Sequence, residues 1–157
     1  MRYEIRFDTE VPADTLRSIL AQNFAIDPRR VFIGTLDDRP LDGPPPVVIV
    51  TPSAGQQGFG WRLMGDTALA DATGLTELEL AHLLSQRLGI PSLIDDGTDH
   101  PDRWILVTQG GGHGPVITDE DLAEDGDLRI VHALQPIPGA PRLPVVPEHR
   151  WDAPPPI

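Results

Sequence analysis

The sequence predicts an α+β fold: one mostly antiparallel or mixed sheet covered by two helices. Three observations carry that expectation. Short runs alternate strictly between apolar and polar residues, two segments repeat apolar residues at helical spacing, and clusters of Asp, Gly and Pro separate them. The 157 residues suit a single domain with its own core, expected over 1–135. A Pro-rich extended tail is expected over 136–157.

The first strand is RYEIRFD at 2–8, with Tyr3, Ile5 and Phe7 on one face. A helix follows. Pro12 suits its first position, Asp14 suits its positive end, and Leu16, Ile19, Leu20 and Phe24 form one apolar face. It should stop before Pro28. The β-branched runs RVFIGTL at 30–36 and PVVIVT at 46–51 flank DDRPLDGPP, which reads as a β-hairpin with a long loop. FGWRLMG at 59–65 is a further strand.

The second helix carries Thr76 and Glu79 in capping-box spacing, then Leu80, Leu83, Leu84 and Leu88 as its buried face, with Gly89 as its stop. Strands are expected at 92–95, 103–108, 115–118 and 128–134. The apolar positions of the two helices share one spacing at an offset of 64 residues, and Gln22/Gln86 and Ile26/Ile90 follow it. We therefore expect pseudo-repeated βαββ halves, 1–57 and 58–135. From Gln135 onward eight prolines fall in 23 residues, too many for helix or central strand. Leu143, Val145, Val146 and Trp151 would hold this tail on the domain.

Charge narrows the function classes. The net charge is −12, and residues 90–127 carry ten acids against one arginine, Arg103. Such a balance disfavours nucleic acid and anionic membranes, both of which need basic contacts. It suits a basic protein partner, a metal ion, or simple solubility. The chain has no cysteine, so thiolate metal sites and cysteine nucleophiles are excluded. No apolar run approaches the roughly 18–20 residues that cross a bilayer, and the N-terminus lacks a secretory signal, so a cytoplasmic location is expected.

Motifs for chemistry are sparse. The stretch TQGGGHG at 108–114 is not a phosphate loop: no helix follows it and the chain has no lysine. It reads as a hairpin turn whose glycines supply positive φ, with His113 at its exposed tip. DDGTDHPD at 95–102 has no calcium-loop spacing and reads as turn chemistry. Thr118 could cap a short helix with Asp121 three residues on. Ser53 lies outside any nucleophile elbow, and His82 and His132 read as packing residues.

No catalytic residue, metal or cofactor is assigned. The expected function is a non-enzymatic acidic protein-binding domain, in its sharpest form a bacterial toxin inhibitor of the immunity type that masks a basic surface. The expected contact residues are Asp95, Asp96, Asp99, Asp102, His113, Asp119, Glu120, Asp121, Glu124, Asp125 and Asp127. The alternatives are a small hydrolase-like enzyme using His100, His113 and a neighbouring aspartate, and a scaffold or accessory subunit that pairs through its sheet or tail.

Overall fold

The computed structural model describes residues 2–40, 42–53, 58–119 and 128–147. It is an α+β structure built on one eight-stranded sheet with three helices. In chain order the elements are β1 (Tyr3–Phe7), α1 (Ala13–Phe24), β2 (Val31–Ile33), β3 (Val48–Thr51), β4 (Trp61–Gly65), α2 (Thr67–Thr73), α3 (Glu77–Leu88), β5 (Ser92–Asp95), β6 (Arg103–Val107), β7 (His113–Thr118) and β8 (Ile130–Ala133). Across the sheet they run β2-β3-β4-β1-β5-β6-β7-β8.

The sheet separates two apolar clusters, and the strict alternation of its strands sorts residues between them. One cluster joins Ile5, Phe7, Ile94 and Val107 to Leu16 and Leu20 of α1, Leu69 of α2, and Leu80 and Leu84 of α3. The other joins Leu93, Leu106 and Val116 to Phe59, Leu128 and Ile137. Strands β5 and β6 face both clusters, Ile94 and Val107 on one side and Leu93 and Leu106 on the other, so apolar residues stand next to one another in each. Helix α3 begins with the full capping box. The Thr76 hydroxyl accepts from the Glu79 amide at 3.2 Å, and the Glu79 carboxylate accepts from the Thr76 amide at 3.0 Å. Gly89 ends it in the left-handed conformation at φ 70°.

The pairing corrects one expectation. β2 and β3 are parallel, Val31 opposite Val48, and not the arms of a hairpin. Antiparallel arms need only a tight turn, whereas a parallel return needs about a dozen residues or more. Residues 34–47 supply them. The Val47 amide donates to the Arg30 carbonyl at 2.7 Å and the Arg30 Nε to the Pro45 carbonyl at 3.1 Å, which brings the chain back beside the start of β2. The corresponding pair in the second half, β5 and β6, is antiparallel, so the pairing lends no support to equivalent halves.

Helix α2 was not foreseen. Asp66 caps it by accepting from the Ala68 amide at 3.2 Å, and Gly74 closes it at φ 65°. Its single fully buried residue, Leu69, packs on Gly65; a Cβ there would lie 2.4 Å from Leu69 Cδ2.

Residues 136–147 lie against the sheet. Ile137 is buried, and Leu143 packs partly on the second cluster. The Ala133 amide donates to the Pro144 carbonyl at 2.7 Å and the Val146 amide to the Ala133 carbonyl at 2.8 Å, so the tail continues the sheet beyond β8. Val145 and Val146 were expected to anchor it, yet they are 42% and 51% exposed; Ile137 takes that role. Trp151 lies outside the described residues.

Candidate functional site

The 95–102 turn and Asp119 stand at one end of the sheet. Strands β5 and β6 are joined by residues 96–102, and β7 leads out beside them. The Thr118 amide and hydroxyl both donate to the Asp102 carbonyl, at 2.8 and 3.2 Å. Thr118 is thus the last residue of β7, and the helix it was expected to cap lies outside the described residues. The Asp119 amide donates to the Arg129 carbonyl at 2.8 Å, which fixes the other side of the same end.

Within this end the aspartates divide into two kinds. Asp95 and Asp99 are exposed and Asp102 is half-buried. Asp95 turns the chain by accepting from the Gly97 amide at 2.8 Å. Asp96 has only 6% of its side chain exposed, and its Oδ2 faces Arg103 Nε at 2.8 Å. Its Oδ1 accepts from the Thr98 amide and hydroxyl at 2.9 and 2.7 Å. The charge of Asp96 is therefore spent internally, while Asp95, Asp99 and Asp102 face solvent to different degrees. Glu120, Asp121, Glu124, Asp125 and Asp127, with the short helix expected near them, lie outside the described residues.

His113 sits at the opposite end of β7. It is exposed, but it is not a turn tip: it is the first residue of the strand, opposite Val107. Its Nδ1 lies 2.9 Å from Nε2 of His82 on α3, with ring centroids 4.9 Å apart and planes at 74°. Burial, and then the neighbouring His113, hold the His82 imidazole below its usual pKa. The pairing expected for His113 was with His100. His100 instead closes its own turn, its Nδ1 accepting from the Asp102 amide at 3.2 Å.

The glycines of 110–114 also serve differently from expectation. Only Gly111 takes a positive φ, 97°. Gly112 and Gly114 are sites of close approach by the tail. A Cβ at Gly112 would lie 2.0 Å from the Pro138 carbonyl oxygen, and one at Gly114 2.8 Å from Ile137 Cγ1. Thr108 locks the crossing: its hydroxyl lies 2.8 Å from the Pro138 carbonyl oxygen and accepts from the Gly112 amide at 3.1 Å.

Two of the expected site residues, Asp96 and His113, line one groove of about 300 Å³, together with Thr98, Arg103 and Gln135. Asp96 and His113 are already engaged, with Arg103 and His82 respectively. A larger cleft of about 410 Å³ lies beside β2, walled by Phe32 and prolines and edged by Arg17, Arg29, Arg39 and Asp42. Sequence reasoning missed it, because these arginines converge only through the parallel return of β3. Among the described residues no three metal-ligating side chains come together, and no helix is long and apolar enough to cross a membrane. No protein-family model matches the chain, and neither the curated proteins nor the solved structures contain a significant match.

Proposed function

We propose that the chain is a non-enzymatic protein-binding domain that offers the acidic end of its sheet to a basic protein, in the manner of an immunity-type inhibitor masking a basic surface. The observation that carries this reading is the junction at Asp102. The bond from Thr118 brings the 95–102 turn beside the exit of β7, where the second acidic segment begins. The 95–102 turn and Asp119, the described start of the second acidic segment, thereby stand at one end of the sheet, and fields of acids within the roughly 8–10 Å of a Debye length add. A surface of this kind acts mainly on the association rate and on the choice of partner. The groove supports the binding reading over the hydrolase-like one. His113 faces a second imidazole in place of an orienting carboxylate, and Asp96 is committed to Arg103.

The test uses the immobilised full chain and a variant with Asp95, Asp99 and Asp102 changed to Asn. A protein retained from lysate by the wild type is purified, and its association rate is measured as salt is raised. We expect a basic partner whose rate falls steeply with salt and drops roughly tenfold or more in the variant. A partner whose binding ignores both salt and the three substitutions would overturn the reading.

A further inference from the structure

The His82–His113 pair has no part in the acidic surface, and its geometry points to a function of its own. We propose that these two imidazoles form an open chelate for a late first-row divalent ion such as Ni²⁺, the remaining coordination positions being filled by water or an external ligand.

Both ligands stand on regular elements. His82 lies in the middle of α3, between fully buried Ala81 and half-buried Leu83, on a helix fixed by caps at both ends. His113 is held in register opposite the fully buried Val107. Thirty-one positions apart in sequence, they present nitrogens to each other at 2.9 Å. Such placement by helix and strand makes a site more precise than placement by loops.

The separation itself is informative. Two nitrogens bound at about 2.05 Å to one ion stand about 2.9 Å apart when the angle at the metal is 90°, and about 3.3 Å apart when it is tetrahedral. The observed 2.9 Å is a hydrogen bond between the rings, so an ion would replace the shared proton and each ring would turn its lone pair toward it; the nitrogens already stand near the separation of neighbouring octahedral or square-planar positions, the preference of Ni²⁺ and Cu²⁺. Tetrahedral zinc would require the rings to separate by several tenths of an ångström.

Ligation also needs neutral rings. No third histidine or carboxylate joins the pair among the described residues. The site is thus a two-ligand chelate of moderate affinity and not a closed structural centre. His113 lines the 300 Å³ groove, which leaves room beside it for a further ligand.

The full chain is titrated with Ni²⁺ at pH 7.5 in a non-chelating buffer by isothermal calorimetry. Proton NMR of the histidine ring protons follows in parallel, to identify which rings respond. We expect one ion per chain, with paramagnetic broadening confined to His82 and His113. His82→Gln and His113→Gln should each weaken binding by roughly tenfold or more, since even indirect support of a metal histidine is worth about 10–100-fold. His100→Gln and His132→Gln should bind as the wild type. Unfolding midpoints of every variant establish that each is folded; exposed His113 serves as the second variant should His82→Gln be destabilised. Binding that survives both substitutions, broadening centred on another histidine, or no saturable binding would overturn the proposal. None of these results bears on the acidic end.

Discussion

Gly112→Ala tests the structural account of the glycine run. The added Cβ would fall 2.0 Å from the Pro138 carbonyl oxygen and 2.8 Å from its carbon. The obstacle is backbone, so no side-chain rotation relieves it. Either the hairpin distorts or the tail lifts. Lifting the tail exposes Ile137, now 5% exposed, and breaks the contact between the Thr108 hydroxyl and the Pro138 carbonyl. Burial of an Ile side chain contributes roughly 1.5–3 kcal/mol and the hydrogen bond about 1 kcal/mol, so complete undocking costs roughly 2.5–4 kcal/mol. A distortion that keeps the tail in place costs about 1–3 kcal/mol by analogy with overpacking. The expected loss is therefore about 2–3 kcal/mol. Gly110→Ala is the control: nothing lies within 4 Å of its Cβ position, and it should stay within about 0.5 kcal/mol of wild type. Urea unfolding gives both values, and trypsin cleavage after exposed Arg142 reports whether the tail lifts. Equal midpoints for the two variants would refute the claim that Gly112 is small because the tail crosses it.

Three further changes probe the scaffold. Ser85→Ala removes one partner of the fully buried 2.7 Å contact between the Ser85 and Ser92 hydroxyls, and should cost roughly 1–3 kcal/mol in urea unfolding. Adding Ser92→Ala should recover part of that loss, because no orphaned hydroxyl remains. Thr76→Ala removes the cap of α3 and should cost about 1 kcal/mol by the same measurement. Glu77→Gln bears on pH: burial raises the Glu77 pKa above 4.5, although its Oε2 accepts the Glu4 amide at 2.8 Å. With the folded pKa the higher one, the folded state holds the proton more tightly, so the wild type loses stability as pH rises from 4.5 through the folded value. The amide keeps the acceptor without the charge. Across that window the variant should gain on the wild type, and parallel stability–pH curves would exclude the burial argument.

What the sequence made legible was local. The alternation of β1, the capping box of α3 and the glycine that ends it are decided by residues within a few positions of one another, and the structure has them where periodicity put them. Helix α2 was hidden because it buries only Leu69, too little to mark a periodic face. The parallel β2–β3 pair was hidden because β-branched strands with turn formers between them look alike in either direction; only the return of residues 34–47 decides. His82 read as a packing residue beside a leucine face, and His113 as a turn tip. Their meeting depends on the register of β7 against β6 and on where α3 crosses the sheet. The burial of Asp96 was invisible for a similar reason, since all four aspartates of 95–102 carry the same turn signal. The glycine run was correctly placed between strands, but its purpose lies farther along the chain, at Ile137 and Pro138 of the proline-rich segment that crosses it.

Sheet order also gives the net charge a direction. The arginine-edged cleft lies beside β2 at one edge, while Asp95, Asp99 and Asp102 lie on the β5–β6 connection, four to five strands away. At about 4.8 Å per strand that is roughly 20 Å, more than two Debye lengths at physiological salt. The arginines therefore do not neutralise the acids, and each group meets an approaching molecule separately. Arg29 already pairs with Asp27 at 2.9 Å, which weakens the positive side further. Asp96, the one aspartate of its turn with a close cationic partner, holds that turn rigid through Arg103 without masking its neighbours. The result is an acidic surface braced by an internal ion pair and set apart from the arginine-edged cleft at the β2 edge of the sheet. On the proposed reading, that asymmetry orients a basic partner before contact.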